Sequence, residues 1–416
     1  MTVEVKADRQ LGWTRADTVR TSIAVGVAAL LLGTAAYLGW TQGEGLGGSN
    51  AAFMLLIGAG LGILFERGRY CFFCIFRDLF EKGNSRGMYS ILVSIAVGMI
   101  GYAVIFSTRV PNPDGGTIPS DAHIAPVSIA LVVAGLAFGL GMVVSGGCIA
   151  GHLYRLPEGH LRSIPALAGV VLGFGAGFLS WDFMYSGFIS GAPVPWLPAG
   201  GGYTMAIVLQ LGILIGLGIW LLRWNPPVAG RGDRAVDGEE LRRVIFFKRW
   251  PALATGAGVG LLAVLAYYKD QPLGVTSQIS SLTRTGMTEA GMLSGFMPGL
   301  DERLAGCVAV VVHTITTNGW LIIGIVLASF AAALPGRRIR VERATAWNST
   351  TALVGGILLG WGAMIGLGCT IGVLLSGTHA FAASGWVFGL AVVVASGIAF
   401  KLGLHRRANP GVFPTV

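Results

Sequence analysis

The chain has 416 residues, a mean hydropathy of +0.70, and only 12% charged residues. A soluble domain carries about 25% charged residues, so this composition excludes an ordinary water-soluble protein. The net charge of +9 comes from basic residues scattered over several polar segments, which argues against a nucleic-acid groove and favours the cytoplasmic loops of a membrane protein.

Ten apolar segments predict membrane-crossing helices, because a helix needs roughly 17–25 apolar residues to cross the bilayer. The strands of a membrane barrel would alternate apolar and polar residues over about ten positions, and these segments are continuous instead. The sequence therefore predicts an all-α integral membrane protein that retains its first helix. In chain order the predicted spans are 21–40, 51–65, 88–107, 126–145, 164–181, 203–222, 251–268, 319–335, 350–366 and 384–401.

The distribution of Lys and Arg predicts how these spans are oriented. With ten spans, both termini and every basic cluster fall on one side, which the positive-inside rule assigns to the cytoplasm. The clusters lie at the N-terminus and in 67–86, 155–162, 223–249, 337–343 and 401–407.

One polar segment, 224–250, predicts a linker between two halves. The expected division is an N-terminal half over 1–223, the cytoplasmic or interfacial linker, and a C-terminal half over 251–416. The end of the linker alternates apolar and basic residues, so it is either an interfacial helix on anionic lipid or a basic loop.

A Gly–Cys motif occurs twice, once in each half. Gly147 and Cys148 recur as Gly368 and Cys369, 221 positions later. Under the predicted topology, the span before Cys148 runs inward and the span before Cys369 runs outward. This predicts two inverted-topology halves, in which short re-entrant or broken helices carry a site near the middle of the membrane. The flanking glycines that repeat in the same register are Gly135, Gly139, Gly141 and Gly151 with Gly356, Gly360, Gly362 and Gly372.

The five cysteines lie in or beside apolar segments, which indicates free thiols rather than a disulfide framework. Cys71 and Cys74 have the spacing of a redox motif, but no alternation of strands and helices surrounds them. No second CxxC accompanies them, so no metal site is predicted. A thiol is a weak S–H donor that suits a polarisable sulfur atom, although a buried cysteine can also be a small packing residue. Cys307 lies outside the repeat and is interpreted as structural.

The segment after the first span of the second half resembles the Cys71 segment in position. There Thr276 and Ser277 predict hydroxyl groups in place of the thiol. Arg77 and Asp78 predict an ion pair near the membrane surface, and His152 is interpreted as a hydrogen-bonded structural histidine.

These motifs together resemble the YeeE/YedE sulfur-transport family, in the order found in its thiosulfate-uptake branch. The resemblance covers about 65–375. The blocks that carry it are Arg69-Tyr70-Cys71, Phe76-Arg77-Asp78, Ser145-Gly146-Gly147-Cys148-Ile149-Ala150-Gly151, Gly274-Val275-Thr276-Ser277 and Gly368-Cys369-Thr370-Ile371-Gly372.

The resemblance implies a multi-pass transporter in the bacterial inner membrane that takes thiosulfate into the cytoplasm. By motif match, Cys71, Cys148 and Cys369 would pass the ion along by S–H hydrogen bonds. It also implies a small cytosolic TusA-like sulfurtransferase as a partner, besides the membrane lipid, and no cofactor. Cys74 is an additional thiol that the pattern does not include.

The residues leave three other functions open. The substrate could be another sulfur or selenium anion. The protein could instead be a membrane enzyme that transfers sulfur covalently through Cys71 and Cys74, or a membrane sensor without flux. The prediction adopted is a transporter that is not an enzyme, with its binding residues among the three cysteines, Gly147, Gly368, Thr276 and Ser277.

Overall fold

Helices form most of the described part of the protein in the computed structural model. It describes residues 15–41, 48–119, 122–224, 249–302, 304, 309–339, 341–342 and 345–409. Within these ranges the only pairing of the β type is an isolated bridge between Trp196 and Ala382. The labelled helices are α1 Arg15–Thr41, α2 Gly48–Gly68, α3 Phe72–Lys82, α4 Arg86–Arg109, α5 Ile129–Ser145, α6 Ile149–Arg155, α7 Ser163–Leu179, α8 Gly202–Leu221, α9 Ala252–Lys269, α10 Ser277–Glu289, α11 Thr317–Ala333, α12 Ala346–Ile365, α13 Ala383–Lys401 and α14 Leu404–Ala408.

The predicted all-α membrane architecture is confirmed, and each predicted span overlaps an apolar helix. Eight of the described helices are long and apolar enough to cross a membrane. A ninth span arises if α7 is joined to its continuation Trp181–Ile189, which bends away by 57°. The remaining predicted span, α11, is a shorter apolar helix of 17 residues.

Polar residues at the helix starts show why the apolar segments begin where they do. Ser128, Thr316 and Thr345 precede α5, α11 and α12, and each side chain accepts a hydrogen bond from a backbone N–H of the first turn. Such caps give a hydrogen-bond acceptor to N–H groups that have no partner inside the helix. An N–H group without a partner is costly at membrane depth. These three helices therefore start at residues that the sequence marks.

The fold contains four copies of one structural unit. Each unit is a long helix, a break, a short helical segment and a long helix that returns. The units are α2–α3–α4, α5–α6–α7, α9–α10–α11, and α12 with α13, where the segment Thr370–Ser376 takes the place of the short helix. Helices α1 and α8 lie at the periphery, and 22% of the apolar window of each is buried.

Helices of the first half pack side by side with helices of the second half. The main pairs are α2 with α11, α4 with α9, α7 with α12 and α5 with α13. Residue numbers rise together along each pair, so the partners are parallel. The approaches that fix this direction are Gly58 to Leu321, Gly62 to Ile325, Gly256 to Ser90, Gly260 to Ser94, Gly169 to Leu353, Gly173 to Ile357, Gly135 to Ala391 and Gly139 to Val392.

Other pairs run in opposite directions and establish the inversion. Gly141 lies against Leu359 and Gly362 lies against Ala134, so α5 and α12 are antiparallel. The span before Cys148 and the span before Cys369 therefore point opposite ways. Because α12 is parallel to α7, α5 and α7 are antiparallel too, and each unit turns back on itself.

The predicted linker lies mostly outside the described residues, since 225–248 are not among them. The division into 1–223, 224–250 and 251–416 therefore stays a prediction. What the helix pairs do establish is that the two halves are interleaved, because every unit packs against a unit of the other half.

Candidate functional site

The four breaks place four small polar side chains at equivalent positions. Cys71, Cys148, Thr276 and Cys369 each occupy the N-cap position immediately before the short segment of their unit. Thr276 is thus the structural counterpart of the cysteines, as its place in the sequence predicted. The three cysteines are at most 2% exposed.

A left-handed backbone residue stands two positions before each of these cysteines. The residues are Arg69 with φ 54°, Gly146 with φ 82° and Leu367 with φ 60°. Only Gly adopts this conformation freely, and other residues cost of order 1–3 kcal/mol. The backbones of Arg69 and Leu367 adopt this conformation in the turns that precede Cys71 and Cys369.

Cys71 and Cys148 come together in the first half. A Cβ atom added to Gly151 would lie 3.3 Å from Cys71 Sγ and 3.4 Å from Cys148 Sγ, so both sulfurs face the same glycine. The Gly151 N–H donates to Cys148 Sγ over 3.3 Å. The absence of a side chain at Gly151 thus lets both thiols approach this backbone closely.

Cys369 lies with Thr276 in the second half, where the Thr276 hydroxyl interacts with the Cys369 thiol. The Gly274 N–H donates to Asn318 Oδ1 over 3.2 Å, which holds the Thr276 turn against α11. The Ser277 hydroxyl donates to Gly274 O over 3.0 Å and is used within the same turn. Of the two predicted hydroxyls, Thr276 is therefore the one directed at a cysteine.

The two predicted glycines pack against histidines. A Cβ atom on Gly147 would lie 3.2 Å from His152 Nε2, and one on Gly368 would lie 3.3 Å from His123 Nε2. His152 is the structural histidine that was predicted, since its ring lies within hydrogen-bonding distance of Ser145 Oγ and Ser163 Oγ. It braces the turn before Cys148.

Cys74 lines a cavity of about 340 Å³ at the end of the molecule predicted to face the cytoplasm, here called the inner cavity. The guanidinium of Arg155 donates to Cys74 Sγ and, over 3.2 Å, to Gly146 O. Cys74 also contacts Cys71. The predicted Arg77–Asp78 ion pair forms in the lining of the inner cavity, where Arg77 Nη2 and Asp78 Oδ1 are 3.0 Å apart.

A second cavity of about 920 Å³, here called the outer cavity, lies at the other end of the molecule. Gln271, just after the C-terminus of α9, lines it, whereas Ala252 at the N-terminus of α9 lines the inner cavity. Since one helix joins the two, the cavities open at opposite ends. The buried thiols of Cys71, Cys148 and Cys369 lie between them.

Sequence patterns did not single out Arg155. They identified Cys74 as a thiol close to Cys71 but did not predict which residues Cys74 would contact. The signal that would have indicated Arg155 is a cation at the C-terminal end of a short helix that begins at a candidate cysteine. Cys307 lies outside the described residues. Within those residues, no group of three or more His, Cys, Asp or Glu side chains could hold a metal ion.

The family model described as "Sulphur transport" matches residues 67–398, which is most of the chain and includes all four breaks. This chain belongs to the sulphur transport family. The match confirms the resemblance stated from the cysteine motifs.

Curated relatives agree with this membership of the sulphur transport family. The chain is 26% identical over 341 residues to "Thiosulfate transporter TsuA" of Escherichia coli K12, covering 80% of this chain and 89% of the relative. It is 25% identical to the protein of the same name from Spirochaeta thermophila, covering 80% and 93%. It is also 32% identical over 145 residues to "Probable transporter YedE" of Escherichia coli K12, over 35% and 34% of the two chains.

All of these relatives of the sulphur transport family are named as transporters, which agrees with the prediction that the protein is not an enzyme. Together with the apolar helices, they identify a multi-pass membrane protein that transports a sulfur compound.

Proposed function

We propose that the protein takes up thiosulfate into the bacterial cytoplasm along a path formed by Cys369, Cys148 and Cys71. The observation that carries the proposal is the row of buried thiols between two opposed cavities. The name of two relatives, thiosulfate transporter, supports the substrate.

The path would run from the outer cavity to Cys369 and Thr276, then to Cys148, and then to Cys71. Cys148 and Cys71 both lie against Gly151, and Cys369 is near enough to Cys148 for an electrostatic interaction. The proposal requires the ion to pass from each thiol to the next.

Thiols suit this cargo because they offer weak hydrogen bonds. A dianion bound by an Arg clamp would be held tightly, whereas S–H groups replace part of its hydration without trapping it. The sulfur of Cys148 already accepts the Gly151 N–H, so its own hydrogen stays available for an anion. Near the inner mouth the Arg155 guanidinium adds attraction toward the cytoplasm.

Inward movement of a dianion opposes the usual interior-negative potential by roughly 2.3 kcal/mol per charge for each 100 mV. Accumulation therefore needs a coupled cation or removal of the ion inside. We propose removal by a small TusA-like sulfurtransferase that docks at the cytoplasmic face of the inner membrane.

Purified protein in proteoliposomes tests the function. We expect saturable uptake of thiosulfate carrying ³⁵S at either sulfur, with both labels arriving together because the S–S bond stays intact. Excess sulfite, sulfate or selenite should compete less well than unlabelled thiosulfate. No uptake above empty liposomes, or arrival of one label alone, would contradict transport of intact thiosulfate.

Cys74 provides a second expected result. Cys74→Ala should reduce the uptake rate only a few fold, because this side chain lines the inner cavity, where water and Arg155 can replace its contact with the ion. Cys71→Ala, one helical turn away and buried, is the matched comparison and should reduce the rate more. Equal losses in the two variants would place Cys74 inside the obligatory path.

A further inference from the structure

His123 is a buried imidazole whose Nε2 has no hydrogen-bond partner among the described residues. The residue is 4% exposed and lies in the loop between α4 and α5. A buried polar atom without a partner costs free energy comparable to a lost hydrogen bond, so it is uncommon in a folded protein.

The ring faces the Cys369 turn. His123 Nε2 would be 3.3 Å from a Cβ atom on Gly368 and 3.9 Å from one on Gly372. Glycine at both positions lets the imidazole approach the turn closely. The same space borders Leu273 O, in the loop that leads to Thr276.

The loop that carries His123 is also part of the outer cavity. Its neighbours Ala122 and Ile124 line that cavity. The loop is anchored on the far side by the Ala125 N–H, which donates to Ser384 Oγ over 3.3 Å. The imidazole therefore belongs to a loop that lines the outer cavity, and its ring lies against the Cys369 turn.

A donor at this place suits the charge of the outer cavity. Among the described residues that line the cavity, Glu302 is the charged one, and a carboxylate there repels an anion. A neutral donor deeper in the protein would offset this repulsion. Burial lowers the pKa of His123 to about 4, so its ring is neutral at pH 7 before an anion arrives.

We infer that His123 forms, with Thr276 and Cys369, an outer binding subsite in which its Nε2–H donates to an oxygen of the incoming sulfur oxyanion. An anion selects the tautomer with hydrogen on Nε2, since the other tautomer would present a lone pair to it. The subsite removes the first part of the hydration shell and leaves the ion beside the Cys369 thiol. This inference rests on the proposed function.

Substitutions at His123 test the subsite through substrate binding. His123→Leu removes the donor, and we expect KM for uptake and Kd for labelled thiosulfate in detergent to rise about tenfold or more. His123→Gln places an amide N–H near the Nε2 position, so both constants should stay within about threefold of the wild type. His123→Asn keeps the polarity but falls short of that position, and should behave as His123→Leu.

His313→Leu is the matched control. This histidine pairs with Glu289 and its side chain is 71% exposed, so the same change there should leave both constants unchanged. A wild-type KM in His123→Leu would overturn the inference, as would equal impairment of His123→Gln and His123→Leu in folded protein. Absence of uptake by the wild type would instead contradict the proposed function, which keeps the two failures separate.

Discussion

Replacing Cys369 or Cys148 with alanine should lower the initial rate of thiosulfate uptake at least tenfold. Each thiol is buried at the break of its unit, and alanine leaves an apolar wall where the ion needs a donor. A hydrogen bond to a charged group contributes roughly 1.5–3 kcal/mol, which corresponds to about 10- to 150-fold in rate if it is made on the barrier. Uptake of labelled thiosulfate into proteoliposomes measures the effect.

Serine variants separate the loss of the hydrogen-bond donor from the loss of packing volume. Cys369→Ser and Cys148→Ser keep a hydrogen-bond donor of similar size, so they should retain more uptake than the alanine variants. Thermal unfolding in detergent must be similar in all variants for the comparison to hold. Wild-type uptake in both alanine variants would show that the ion does not pass along these thiols.

Replacing Gly360 with alanine should destabilise the protein by about 3 kcal/mol or more. Gly360 of α12 packs against α7, and a Cβ atom there would lie within 2.1 Å of the Val170 carbonyl oxygen. Because that neighbour is backbone and not a flexible side chain, the two helices must move apart. We expect a lower midpoint of thermal unfolding and a lower yield of folded protein.

Gly212→Ala on α8 is the matched control, since a Cβ atom there has nothing within 4 Å. Alanine is a better helix residue than glycine by roughly 0.5–1 kcal/mol, so this variant should be unchanged or slightly more stable. Similar destabilisation by both substitutions would mean that the close approach of α7 and α12 does not hold the fold together.

The sequence was sufficient to predict the apolar helices and to single out the three buried cysteines, whose part in transport stays a prediction. Apolar length locates a membrane helix almost independently of its neighbours, and the repeated Gly–Cys motif singled out Cys148 and Cys369. The equivalence of Thr276 also followed from its position after a span. These features are local or periodic, so they can be read without tertiary contacts.

The partners of these elements could not be predicted. A helix that is apolar on every face carries no stripe that identifies its neighbour, so the pairing of α2 with α11 was not visible in the sequence. The surroundings of His123 and Arg155 come from loops and helices of other units, which approach only after folding. In the sequence alone, His123 and Arg155 look like ordinary surface residues.

The parallel pairing of helices from opposite halves restricts how such a protein can have arisen. A half-length chain would present one member of each pair and leave its glycine face uncovered in lipid. If the two halves derive from a duplicated gene, the single-length ancestor needed a second copy inserted upside down to complete each pair. Its loops would then have carried little bias in Lys and Arg, and the basic loops on one side would have been acquired after fusion fixed the orientation.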